Sequence, residues 1–132
     1  MRNDDPLADQ TPLHFADLLK RDLVGLEGGS TLTRLPEAQA AQLLRPMALR
    51  VQVRSFEAVC RAVEAKLGIG VLPLAAARSF AGAMGLTVVP LNDAWALRAM
   101  RLCTRVKPPE KSALEALVGH LGGESRLRGW AW

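Results

Sequence analysis

Tyrosine is absent from this sequence, and only two cysteines and two histidines occur. The missing phenol removes one common general acid and hydrogen-bond anchor. Cys60 and Cys103 are too few for a disulfide framework or an all-cysteine zinc site. Each reads as a small apolar residue, Cys60 on a helix stripe and Cys103 within a strand. His14 and His120 have no acid or cysteine at metal-ligand spacing, and His120 reads as a cap at a helix C-terminus. No apolar run approaches the roughly 18–20 residues that a membrane-spanning helix needs. Met1–Pro6 is polar and acidic, so no secretory apolar region is present. No phosphate loop with its lysine and no Gly-x-Ser-x-Gly elbow occurs. These absences speak against a secreted disulfide scaffold, a membrane-spanning helix and the commoner α/β enzymes, with an α/β enzyme kept as a minor competing reading. The expectation is a cytoplasmic, non-enzymatic chain with no cofactor and no metal.

What remains is an ordinary globular balance. The 132 residues are 49% hydrophobic and 23% charged, enough for one domain. The net charge is +4. Residues 1–93 balance ten basic against ten acidic side chains, and residues 94–132 carry seven basic against three acidic. A basic C-terminal part is compatible with nucleic acid, but it reads first as a solvated face and a basic tail.

Along the chain, Pro6 and Pro12 keep residues 1–12 extended or looped. Phe15, Leu18 and Leu19 fit one short helix face. Leu23–Leu26 reads as a buried strand. Glu27–Thr31 is a turn that ends in helix-capping residues. An Ala-rich helix follows to about Leu44, with Pro36 either restarting or kinking it. Leu49–Val53 alternates at the strand period. Ser55 then caps the clearest helix, whose stripe is Phe56, Val59, Cys60, Val63 and Leu67. Gly68 stops it. Ile69–Pro73 is a third strand, residues 74–84 a helix, Leu86–Leu91 a fourth strand and Leu97–Thr104 a fifth. A last helix after Pro109 places Leu114, Leu117, Val118 and Leu121 on one face. Residues 1–121 read as the domain, and 122–132 as a disordered or loosely docked tail. Strands separated by helices of 10–15 residues imply an α/β fold, a mostly parallel sheet flanked by helices. Ligands of such sheets sit beyond the carboxyl ends of the strands.

Two turns face that end. Gly28-Gly29-Ser30-Thr31 offers backbone N–H groups and hydroxyls to a polar or anionic group, although simple helix caps look the same. Arg54-Ser55 ends a strand and opens a helix. A cation beside a helix N-terminus is locally unfavourable unless an anion joins it. An exposed Arg54, or one paired with Glu57 or Glu27, is the plainer alternative. Gly68-Ile69-Gly70 follows a helix and precedes a strand, the wrong order for a phosphate loop.

Asp5-Pro6-Leu7-Ala8, Phe15-Ala16-Asp17-Leu18-Leu19 and Leu23-Val24-Gly25-Leu26 with Gly29-Ser30 resemble the effector-binding region of LysR-type transcriptional regulators. The run Arg54–Ala65 followed by Leu67–Pro73 carries the strongest likeness, and Val89-Pro90-Leu91 with Ala94-Trp95 extends it. The resemblance spans residues 4 to about 121. It implies a fold like the type 2 periplasmic binding proteins, with a small-molecule effector held between two subdomains. The chain would hold the second subdomain and the strand and helix that return to the first. It would thus be truncated at its N-terminus, so DNA contact is expected only in a full-length version that carries the helix-turn-helix. A homo-oligomer, no membrane partner and an anionic effector are the further expectations. Effector contacts are implied at Glu27, Gly29, Ser30 and Thr31 in the first turn, at Arg54, Ser55 and Phe56 in the second, and at Gly70. Three positions depart from the family pattern: Asp5 stands where His is usual, Lys66 where Gly is usual, and Pro36 inside a helix. Lys66 is expected to lengthen the helix before Gly68 slightly. Competing readings are a fragment of a solute-binding uptake protein, or an interaction-only remnant that pairs with full-length regulators.

Overall fold

The computed structural model describes residues 1–28, 31–97 and 112–123. Its elements are α1 (Phe15–Leu18), β1 (Leu23–Leu26), α2 (Thr31–Gln42), β2 (Leu49–Val53), α3 (Phe56–Glu64), β3 (Ile69–Gly70), α4 (Leu74–Ala81), a 3-10 turn (Ala94–Ala96) and α5 (Ala113–Gly123). The strands form one parallel sheet in the order β2-β1-β3. From β1 the chain moves outward to β2, then returns across β1 to β3. Right-handed crossovers in opposite directions place α2 and α3 on opposite faces.

Each face has its own core, because successive residues of a strand point to opposite sides. Leu23 and Ile69 join Leu13, Phe15, Leu18, Leu91 and Ala96 on one side. Val24 joins Val59, Cys60, Val63, Leu72 and Met84 on the other. The ring of Phe15 meets Trp95 edge to face at 5.2 Å, which ties the 3-10 turn to α1. Buried Cys60 behaves as the expected apolar residue, and burial pushes its thiol pKa up. Cys103 lies outside the described residues.

One irregularity sets the register of the sheet. Leu23 pairs with Leu49, but Val24 pairs with Val51, so Arg50 is an extra residue on β2. The bulge turns Leu49 toward the first core and Val51 and Val53 toward the second. It also brings Val53 level with Leu26 at the carboxyl end.

The α3 stripe forms as the sequence predicts. Val59, Cys60 and Val63 are buried, with Phe56 and Leu67 packed beside them. The helix is not lengthened by Lys66. It ends at Glu64, and Lys66 adopts a left-handed conformation with φ 64°. The Lys66 N–H donates to the Val63 carbonyl and the Leu67 N–H to the Ala62 carbonyl, both at 3.0 Å. That is a Schellman closure, whose left-handed position favours glycine and so explains why Gly is usual there. Helix α2 closes in the same way on Leu44, which has φ 52° and a 92% exposed side chain. Pro36 lies inside α2, which neither restarts nor breaks there.

The Leu86–Leu91 segment does not form the expected fourth strand. Leu86 bridges Arg2 antiparallel and Leu91 bridges Leu13 in parallel, as isolated pairs. The Thr87 N–H donates to the Met1 carbonyl at 3.0 Å. β3 ends at Gly70 and Pro90 has no N–H, so no ladder runs the length of the segment. The expected fifth strand, apart from Leu97, lies outside the described residues. Helix α4 is shorter than expected, ending at Ala81 rather than residue 84. Helix α5 runs to Gly123, two residues beyond the expected stop at 121, with Leu114, Leu117 and Leu121 exposed. Residues 124–132 of the expected tail lie outside the described residues.

Candidate functional site at the carboxyl end of the sheet

Leu26 and Val53 are register partners, and the Glu27 N–H donates to the Val53 carbonyl at 2.7 Å. Glu27 and Arg54 therefore leave the sheet side by side although 27 positions separate them. The Arg54 Nε donates to Glu27 Oε2. The pair is open to water: the Arg54 side chain is 86% exposed and that of Glu27 54%. Exposed ion pairs contribute only about 0–1 kcal/mol to stability. Of the alternatives for Arg54, the partner is Glu27, while Glu57 faces Arg61 at 3.9 Å.

Ser55 is the α3 N-cap, extended at φ −139° and ψ 157°. Its Oγ accepts the Ala58 N–H at 3.1 Å, which leaves the hydroxyl proton for another partner. The first intrahelical bond runs from the Val59 N–H to the Ser55 carbonyl. The N–H groups of Phe56 and Glu57 thus belong to the unbonded first turn. The Phe56 side chain packs on the second core, so its backbone rather than its ring is what the edge presents.

Gly70 has a packing reason for being glycine. A Cβ there would lie 2.6 Å from Val59 Cγ1 and 3.4 Å from Val63 Cγ2. It sits opposite Val24, deeper in the sheet than the Glu27–Arg54 pair. Thr31 begins α2. Gly29 and Ser30 lie outside the described residues. The structure thus brings Glu27, Arg54, Ser55 and the Phe56 backbone together and gives Gly70 to the α3 interface.

The amino end of the sheet is also charged. Arg21 forks onto Asp5 at 2.8 and 3.2 Å, and Asp5 Oδ1 also accepts the Leu7 N–H at 3.0 Å. The Asp5 side chain is only 11% exposed. Arg2 binds both Asp4 oxygens at 2.8 and 3.0 Å and donates to the Glu64 carbonyl at 3.1 Å. The Arg2 guanidinium holds the Asp4 carboxyl below its ordinary pKa. Together with Lys66 and Gly68 these residues line a polar cleft of about 230 Å³. Sequence reasoning did not foresee this cleft, although two of its lining residues, Asp5 and Lys66, are departures from the family pattern. Its guanidinium groups are already occupied by neighbouring carboxylates. Sequence reasoning also left His14 without an acid. The structure sets Asp93 3.8 Å from His14 Nδ1, and the same carboxylate oxygen accepts the Phe15 N–H at 2.9 Å. Among the described residues no group of three His, Cys, Asp or Glu is placed to hold a metal ion.

A parallel sheet in the order β2-β1-β3, with a core on each face, makes this an α/β domain, and the family match that follows gives it the periplasmic-binding-protein kind of fold. Residues 1–126 match the LysR substrate binding domain, and the chain belongs to that family. No curated protein matches it. The family's domain is the ligand-binding part of transcriptional regulators, so effector sensing is the role that membership implies.

Proposed function

We propose that this chain senses a small metabolite for a LysR-type transcriptional regulator, and that the metabolite docks on the carboxyl end of the sheet. The observation that carries the reading is the Glu27–Arg54 pair at the ends of two register-matched strands. Arg54 meets a carboxylate or similar group of the effector, and the Ser55 hydroxyl and the free N–H groups of Phe56 and Glu57 complete its contacts. A charge-assisted bond of this type contributes about 1.5–3 kcal/mol. Glu27 at the end of β1 and Thr31 at the start of α2 bound the adjoining turn, and Gly29, Ser30 and Thr31 are the further contacts that the family likeness implies. Effector binding shifts the population of subunit arrangements, and DNA is engaged by a helix-turn-helix domain. The setting is the cytoplasm, where that DNA lies. No helix of the described residues is long and apolar enough to cross a membrane.

The exposed stripe of Leu114, Leu117 and Leu121 on α5 supports assembly with further copies. Burial of such surface contributes roughly 25 cal/mol per Å². Sedimentation of this chain should show dimers or larger species, and a monomer at high concentration contradicts the assembly.

The site itself is tested by mapping. A panel of carboxylate metabolites is titrated into the isotope-labelled chain, and the backbone amide shifts are followed. The proposal expects a responding ligand to move amides of residues 26–31 and 53–57. Shifts confined to the polar cleft around Asp5, Arg21 and Lys66 would place the site at the wrong end of the sheet.

A further inference from the structure

We infer that the effector is a zwitterion, with a carboxylate for Arg54 and an ammonium group, a short spacer away, for Glu27. The inference rests on the effector-sensing reading above and narrows its ligand from an anion to one that carries both charges.

The bulge in β2 is what sets the two charges side by side. Without the extra residue at Arg50, Leu26 would pair with Gln52, and Arg54 would stand one residue beyond Glu27. With it, Leu26 pairs with Val53, and the next residue on each strand is charged, with opposite signs. The two side chains are mutually bonded and mostly in water. Each can therefore exchange its partner at little loss, because an exposed pair contributes about 0–1 kcal/mol.

A ligand with only a negative charge gains Arg54 but meets the Glu27 carboxylate beside it. At close range that repulsion largely cancels the attraction, since both charges lie well within a screening length of about 8 Å. Glu57, in the first turn of α3, adds a further negative charge, although it faces Arg61. The helix N-terminus favours the carboxylate, but a ligand that is only an anion brings no group of its own to replace the partner that Glu27 would lose. A ligand that inserts its carboxylate toward Arg54 and Ser55 and its ammonium group toward Glu27 replaces the ion pair by two, with no charge left over. An α-amino acid headgroup has this arrangement, with both groups on one carbon.

Three probes on one carbon chain test the inference on the 132-residue chain: L-2-aminobutyrate, butyrate, which lacks its ammonium group, and propylamine, which lacks its carboxylate and is expected to give the weakest response of the three. The amide shifts of Glu27, Arg54, Ser55 and Phe56 report binding. The expected order places aminobutyrate about tenfold or more ahead of butyrate, the fold-change of one charge-assisted bond. Glu27→Gln should weaken aminobutyrate and strengthen butyrate, closing most of that gap. Arg54→Gln should remove the response to both acids. Equal response to aminobutyrate and butyrate, unchanged by Glu27→Gln but lost with Arg54→Gln, overturns the zwitterion and leaves the anion-sensing site standing. A response to aminobutyrate that survives Arg54→Gln, or no movement of these amides by any probe, overturns both.

Discussion

At the amino end of the sheet, Arg21 grips Asp5 through two bonds while Asp5 also holds the Leu7 N–H, and water reaches little of that carboxylate. At the carboxyl end, Arg54 meets Glu27 through one bond, and most of both side chains lies in water. The chemistry of the two pairs is the same and their burial is opposite. A sheltered, forked pair with an extra backbone bond resists exchange and fastens the N-terminal segment to the turn before β1. An open pair contributes little to the fold and leaves both charges available to a third party. The lesson is that charge alone does not locate a binding edge. The amino end has more charged side chains, and its Arg2 and Arg21 guanidinium groups are already spent on Asp4, Asp5 and the Glu64 carbonyl.

The comparison can be broken most forcefully at Gly68. Its φ is 151°, and an added Cβ would lie 2.5 Å from the Asp22 carbonyl oxygen, a backbone atom that also accepts the Ile69 N–H. Gly68→Ala should lose about 3 kcal/mol in urea unfolding, from collision and backbone strain together. Asp5→Ala comes next. It leaves the Arg21 guanidinium and the Leu7 N–H without their acceptor, and should lose about 2 kcal/mol. If Asp5→Ala unfolds no more easily than a variant of Arg54, the two ends do not differ in kind. Lys66→Gly works in the opposite direction. Glycine relieves the left-handed residue at the close of α3, and the unfolding midpoint should rise by the equivalent of about 1 kcal/mol. A drop would mean that the Lys66 side chain supports the polar cleft. The smallest effect on stability belongs to Arg54→Gln, at about 0.5 kcal/mol or less.

Much of the α/β body was readable from residue order. The stripe on α3, the Ser55 cap and the bounds of β1 and β2 lie where the spacing puts them, while the expected strand Ile69–Pro73 pairs only at Ile69 and Gly70. Gly68 reads as the helix stop, yet α3 closes two residues earlier on Lys66, and the requirement for glycine at 68 comes from Asp22, which approaches only once β1 and β3 are paired. The Leu86–Leu91 segment has strand composition and lacks a ladder because of where β3 ends and because Pro90 has no N–H, facts of tertiary arrangement. The candidate site was half legible. Arg54 and Ser55 stand out at a strand-to-helix junction. That Glu27 rather than Glu57 faces Arg54 depends on the bulge at Arg50, and the alternating pattern Leu49-Arg50-Val51 carries no sign of it. Lys66 was readable as a departure and misread as helix extension. A left-handed cap is determined by backbone closure, and Lys side chains otherwise favour helix.

The most direct test of the account is the thermal unfolding midpoint of Arg54→Gln beside that of the unchanged chain, each with and without saturating L-2-aminobutyrate. A ligand at about 100 times its Kd adds about 2.7 kcal/mol to the folded state. The account predicts equal midpoints without ligand and a rise only in the unchanged chain. A rise that persists in Arg54→Gln, or a ligand-free midpoint that falls as far as that of Asp5→Ala, would contradict it.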